Sequence, residues 1–268
     1  MAGKRQKLAY DFVSLGPNDR DMLDKWYKVY ARCFPDADER EEFEAFSNLL
    51  RLNDDSRIQK NLGPWIEAVL AIRDLKTREI VGGLNFGVSY GTDPQETDVS
   101  AISIQVPFLF IDPAFRQAHR QEALVITPLP VLAAIRHWVD ERLGKIDPAL
   151  PRREILVFFE ANDPTRMSAE QRREDKSNAQ IDPYVRYRYW LEFAKALDFK
   201  YVQPPLQPGK NPVTYLDLFC MVLHRQPGDG NSRPTSAGVP AAMLLNHLKR
   251  FFSISVLKGQ TADDDTSF

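Results

Sequence analysis

Three side chains able to hold an anion, Arg116, His119 and Arg120, follow closely on a strand-like run. The run, Ala101 to Ile111, alternates, so Ile102, Ile104, Val106, Phe108 and Phe110 are expected on one face. Asp112-Pro113 then makes a turn, and the basic segment reads as the opening of a helix. The first amides of a helix have no partners within it and favour negative charge. Arg116 and Arg120 therefore read either as phosphate ligands or as a solvated basic turn. His119 reads as a phosphate donor or as a surface histidine. A second candidate is Glu160, the polar end of the apolar run Glu154–Phe159. It is expected either to pair with a nearby arginine or to act as a base if its pKa suits. No His/Cys cluster has metal-ligand spacing, and no Gly-x-Ser-x-Gly or Walker-type loop is present.

The elements that must position these groups follow from the apolar spacing. Strands are expected over 8–15, 65–73, 79–90, 101–111, 154–159, 199–203 and 213–223. Pro107 removes a ladder donor from the fourth of them, so a bulge or broken pairing is expected nearby. Gly82, Gly83 and Gly87 either weaken the third strand or mark close approach of another backbone. Helices are expected over 19–34, with Met22, Leu23, Trp26, Val29, Tyr30 and Phe34 on one face, and over Asp36 to Leu52. The helical region around 127–143 either kinks at Pro128 or starts there with Thr127 as cap. Its apolar residues are Leu132, Ile135, Trp138 and Val139. Ser168 to Gln171 has capping-box spacing within a charged insertion, 163–181. Asp182-Pro183 starts a helix whose stripe is Val185, Tyr189, Phe193 and Leu197. Strand, helix and strand around 101–159 imply a parallel pair, and the order as a whole a mixed sheet with helices on both faces.

Length and composition bound the class. A chain of 268 residues suits one large domain with appendages. We divide it into a domain over 1–225 and a tail over 226–268 comprising linker, amphipathic helix and acidic end. The net charge of -2 argues against a dedicated nucleic-acid binder. Tyr184, Arg186, Tyr187, Arg188, Tyr189 and Trp190 could stack bases, but a helix spreads them around its circumference, so a half-buried helix is expected. Gln105 reads either as lining the acceptor side of the fourth strand or as a polar outward position. No apolar run is long enough to span a bilayer, and no secretory h-region follows the basic N-terminus. Cys33 and Cys220 lie in apolar surroundings, so buried thiols and a cytoplasmic setting are expected. The apolar residues of 243–252 are expected to pack on the domain or to form a homodimer contact.

The element order and the segment Pro113–Leu124 resemble the GNAT superfamily, the GCN5-related N-acetyltransferases, and in particular its bacterial members. Pro113, Phe115, Arg116 and Leu124 stand where that family usually has Pro, an aromatic, Arg and Leu, while His119 and Gln121 replace two small residues. Leu197-Asp198-Phe199 resembles the family's Leu-Gly-Phe, and the tyrosine often found five residues before that Phe falls on Ala194. The resemblance implies an α/β fold: a GNAT-like mixed, mostly antiparallel sheet whose fourth and fifth strands splay. It implies acetyl-CoA, or another acyl-CoA, as donor, with Phe110, Ile111, Arg116, Gln117, Ala118, His119, Arg120 and Gln121 as its binding residues. It implies N-acetyl transfer to a small-molecule or peptide amine, with Glu160 as the catalytic base and a fourth-strand amide polarising the acyl carbonyl. The departures at His119, Gln121 and Ala194 favour the alternative, a GNAT-fold acyl-CoA-binding or protein-interaction protein without catalysis.

Overall fold

Among the described residues, seven strands form one sheet in the order β1-β2-β3-β4-β5-β7-β6. They are β1 (Tyr10–Leu15), β2 (Trp65–Asp74), β3 (Ile80–Ser89), β4 (Ile102–Ile111), β5 (Ile155–Asn162), β6 (Lys195–Ala196) and β7 (Leu216–Val222). Every neighbouring pair is antiparallel except β4 and β5, which run parallel, as a strand–helix–strand connection requires. The computed structural model describes residues 10–35, 40–56, 60, 63–90, 102–118, 128–179, 181–202, 213–223, 239 and 241–256. The helices are α1 (Arg20–Cys33), α2 (Phe43–Leu52), α3 (Pro113–Ala118), α4 (Pro128–Ile146), α5 (Ala169–Ala179), α6 (Pro183–Phe193) and α7 (Ala241–Phe251), with a last irregular turn over Phe252–Val256.

Helices cover both faces. On one, α4 presents Val131, Ile135, Val139 and Leu143 at one-turn spacing to Leu84, Phe86, Ile104 and Val157. Trp190 and Phe193 of α6 join the same cluster. On the other, Leu23, Trp26, Val29 and Tyr30 of α1 and Phe46 of α2 pack on Val69, Ala71 and Phe110. α7 extends this second face over β5 and β7 and over Trp65, where Phe251 and Ile254 are buried. The tail helix thus packs on the sheet. No helix among the described residues is long and apolar enough to cross a membrane. Cys33 and Cys220 are buried free thiols, pushed up to about 12 by that burial.

Four local readings are corrected. The five alternating residues of β4 do not share a face: Ile102, Ile104 and Val106 join the α4 side, while Phe108 and Phe110 turn to α1. Between the pairs Gly87↔Gln105 and Asn85↔Phe108, β4 advances three residues while β3 advances two. The extra residue lies beside Pro107, and it reverses the parity of everything beyond. Second, the second helix starts at Phe43 rather than at Asp36; 36–39 lie outside the described residues. Two tyrosines of α1 hold the chain before it, Tyr27 donating to the Glu41 carbonyl at 3.1 Å and Tyr30 accepting from the Glu41 amide at 3.0 Å. Third, no strand forms over 199–202. The edge strand pairs at Lys195–Ala196, with the Leu197 amide also donating to the Leu218 carbonyl at 2.9 Å, and then a tight turn from the Phe199 amide to the Leu197 carbonyl takes Tyr201 inward. Fourth, α6 ends at Phe193, so Leu197 is outside it, and Val185 is 62% exposed. The ring contacts Trp190–Phe159 (4.7 Å) and Tyr187–Phe219 (5.5 Å) fix the inward face instead.

Both helix-start readings hold. The Asp182 carboxylate accepts from the Tyr184 amide at 3.1 Å, with Pro183 at the first position of α6. At α5 the Ser168 hydroxyl accepts from the Gln171 amide (3.1 Å) while the Gln171 side chain accepts from the Ser168 amide (2.8 Å), a reciprocal capping box. Ser168→Ala should cost about 1 kcal/mol of local stability. Hydrogen exchange is expected to speed up across the first turn of α5 and to stay unchanged in β5.

Candidate active site

The parallel ladder between β4 and β5 is short. It runs from Ile102↔Ile155 to Val106↔Phe159, and among the described residues pairing stops there. β4 goes on through Pro107–Ile111 beside β3, and β5 goes on through Glu160–Asn162 beside β7. The cause is local. The bulge at Pro107 re-aims β4, while β7 keeps β5 in register as far as Asn162↔Leu216. The strands part, as the family resemblance implies, and two ribbon edges are left facing a wedge. A narrow chain carrying amides can add to such an edge by backbone hydrogen bonds, and the pantetheine arm of an acyl-CoA is a chain of that kind.

Glu160 is the first β5 residue beyond the last shared rung. It alternates with Leu156 and Phe158, so its side chain lies on the α7 face of the sheet. Tyr201, itself buried, donates its hydroxyl to Glu160 Oε1. Burial pushes the Glu160 carboxyl up to about 7, and the bond from Tyr201 pulls the other way. A carboxylate poised there gains or loses a proton near neutral pH, as a general base must. Tyr201 was not legible as a partner, since it reaches Glu160 from an irregular turn that no periodicity reveals.

The anion end is built differently from a bare helix start. Asp112 Oδ1 accepts from the Ala114 amide at 2.8 Å, which caps α3, and Asp112 Oδ2 pairs with Arg32. Arg116 folds back so that Nη2 donates to the Ile111 carbonyl at 3.0 Å. Burial lowers its pKa, with the nearby charge of Arg186 acting in the same direction. Phe110 points into the α1 cluster, edge-on to Trp26 at 5.0 Å, so only its backbone faces the wedge. Gln117 is exposed near the end of α3, and Ala118 is its last residue. His119, Arg120 and Gln121 lie outside the described residues. Across the wedge, Asn162 donates to Asp175 at 2.9 Å, and Asp175 binds Arg186 at 2.6 and 2.7 Å. Arg116 and Arg186 thus place two cations around its mouth.

Ala194, in the position of the family's tyrosine, is buried and carries no acid. Tyr187 on α6 donates to Asp217 and is held above its ordinary pKa by burial and that carboxylate. Gln105 is not an outward residue: it is fully buried beneath α7. Among the described residues no group of His, Cys, Asp and Glu could hold a metal ion.

No family model and no curated protein sequence matches the chain. Among solved structures it is similar to a tandem GNAT protein from the clavulanic acid biosynthesis pathway, with 15% identity and a TM-score of 0.43 over 72% of this chain. It spans about half, 46%, of that tandem chain. It is similar to Arabidopsis thaliana NAA60 in complex with acetyl-CoA, with 13% identity and a TM-score of 0.40 over 80% of this chain and 98% of that one. A third is an aminoglycoside acetyltransferase from an uncultured soil metagenomic sample, with 17% identity and a TM-score of 0.40 over 74% and 99%. The chain has a mixed, mostly antiparallel α/β sheet with one parallel junction, β4–β5, whose strands part beyond Val106, the arrangement that the resemblance to the GNAT superfamily implies.

Proposed function

We propose that the protein is an acyl-CoA-dependent N-acyltransferase that moves an acetyl group from acetyl-CoA to an amine by direct attack. The observation that carries this reading is the position of Glu160: a carboxyl pushed up to about 7 stands one residue past the point where β4 and β5 separate. Acetyl-CoA supplies the activated acyl group as a thioester. The β4 edge beyond Val106 offers backbone amides to its carbonyl oxygen and to its pantetheine amides. Arg116, Arg186 and Gln117 stand on the side where its phosphates would lie, and His119, Arg120 and Gln121, outside the described residues, remain proposed ligands of the same end. Glu160, held by the Tyr201 hydroxyl, takes one proton from the attacking amine as the new C–N bond forms, and the sulfur leaves with the C–S bonding pair. No covalent bond to the chain is needed.

Calorimetric titration with acetyl-CoA, followed by CoA release assayed over a panel of amines, tests the reading. One-site binding with amine-dependent release is the expected result. Binding with no release by any amine would favour the non-catalytic alternative, and no binding at millimolar acetyl-CoA would remove both.

A further inference from the structure

Burial changes along β4 at the place where its parallel partner leaves it. Ile102 to Val106 are buried, while Pro107, Phe108 and Leu109 are only partly so, although β4 is a central strand with helices over both faces. On β5 the change comes at the same level. Ile155 to Phe159 are buried, then Glu160 and Asn162 are partly exposed and Ala161 between them is buried. Glu160 and Asn162 share one face and Ala161 has the other. Solvent therefore reaches the wedge, and on β5 it does so from the face of α1 and α7.

The registers set Phe108 against Glu160. Gln105 is level with Phe158 on β5 and with Gly87 on β3. Two residues further, Asn85 of β3 is paired with Phe108, because β4 has spent its extra residue at the bulge, and β5 has reached Glu160. Phe108 and Glu160 thus stand level across the wedge and on the same face of the sheet. Without the bulge that place would belong to Pro107. The Phe108 ring is met edge-on by Tyr30 at 5.1 Å and by Phe34 at 5.5 Å. Tyr30 is fully buried, whereas Phe34, at the C-terminal end of α1, is partly exposed like Phe108. The two open rings form an apolar wall, and the carboxyl of Glu160 stands across from it. The cations go with the other face: α3 and α6, which carry Arg116 and Arg186, lean on the α4 cluster through Phe115 and Trp190.

We propose that Phe108 and Phe34 form the specificity wall of the acceptor site, and that the acceptor is a primary amine on an apolar arm. This rests on the acyl-transfer reading and deepens it. The amine nitrogen reaches Glu160, which takes its proton, while the arm lies along the two rings and leaves water. An arm bearing hydroxyl or ether oxygens would give up its own hydration against rings that return no hydrogen bond. With the donor's phosphates on the cationic side, donor and acceptor meet in the wedge from its two faces.

The test uses the full chain with ring-¹³C-labelled phenylalanine, Phe108 being assigned by comparison with Phe108→Leu. The probes are two primary amines of equal length: hexylamine, and 2-(2-aminoethoxy)ethanol, its counterpart with an ether and a hydroxyl. Hexylamine should shift the Phe108 ring signals and transfer magnetisation from its chain protons to that ring; the polar amine should do neither at the same concentration. In turnover kcat/KM should favour hexylamine, and the preference should fall about tenfold in Phe108→Gln, the worth of about two methylenes no longer buried. The ratio is taken within each protein, so a general loss of activity leaves it unchanged. Phe34→Gln should lower it in the same direction, and decides the matter where Phe108→Gln does not fold. Phe108 signals that neither amine moves, or a preference unchanged in the variants, overturns the proposal. Turnover that prefers the polar amine overturns it too and leaves acyl transfer standing. Contact of hexylamine with Phe108 in a protein that binds no acetyl-CoA would refute the acyl-transfer reading and leave the amine wall standing.

Discussion

Glu160→Gln should lower the rate of acyl transfer about 10²–10³-fold while acetyl-CoA affinity stays within about twofold. The amide keeps the size of the side chain and can still accept from Tyr201, so packing is preserved. What is lost is the proton acceptor beside the wedge. In the unsubstituted chain kcat/KM should rise with pH through about 7, where the carboxyl ionises, and the variant should lose that limb. An equal loss of acetyl-CoA binding would instead assign Glu160 to the architecture of the donor site.

The same substitution has a stability signature of defined sign. The folded-state pKa of Glu160 is raised from 4.5 to about 7, so the folded state binds the extra proton between those values. Stability associated with this group is therefore lost as pH rises through about 7. Glu160→Gln should raise the unfolding free energy by roughly 1–3 kcal/mol at pH 8 and change it little at pH 4. Chemical denaturation at the two pH values separates this from a pH-independent packing effect. A site whose neutralisation stabilises the fold while removing the activity is one where function is held against stability.

The second large effect is expected at Gly83→Ala. A Cβ at Gly83 would lie 1.9 Å from Trp26 Nε1. The indole has nowhere to go. Its N–H donates to the Leu70 carbonyl at 3.1 Å, and its ring is stacked on Tyr30 and met edge-on by Phe46 and Phe110. Relief requires either breaking that buried bond or spreading α1 from the sheet, so a loss of about 3 kcal/mol or more is expected. That is a large part of the stability of an ordinary domain. Gly144→Ala is the control. Its Cβ would meet Pro151 at an ordinary 3.6 Å within α4, and a gain of about 0.5–1 kcal/mol is expected from helix propensity. Thermal unfolding of the pair checks the argument. A Gly83→Ala protein as stable as the parent would mean that α1 is not seated as described.

These glycines also mark how far the chain text reaches. Close approach was legible at Gly82, Gly83 and Gly87, and at Gly82 the neighbour is indeed backbone, the Phe110 carbonyl at 2.5 Å. At Gly83 and Gly87 it is an indole, of Trp26 and Trp65, which only the folded register specifies. Pro107 announced an irregularity in β4, but which side of it would flip depends on the partner strand, so Phe108 and Phe110 were assigned to the wrong face. Glu160 was legible as the polar end of an apolar run. Its hold on Tyr201 was not, nor was the burial of Gln105, which is covered by a histidine 142 residues further on. Local chemistry and periodicity carried the elements and their order. The site depends on contacts made across the sheet by turns and by the last helix, and those are set by tertiary packing.

The most direct measurement is a crystal structure of the full chain with acetyl-CoA. The pantetheine arm is expected between Pro107–Ile111 and Glu160–Asn162, its amides paired to the β4 edge and the acyl carbon within reach of an amine held at Glu160. An acetyl-CoA bound elsewhere, with side chains filling the gap between the two strands, would contradict it.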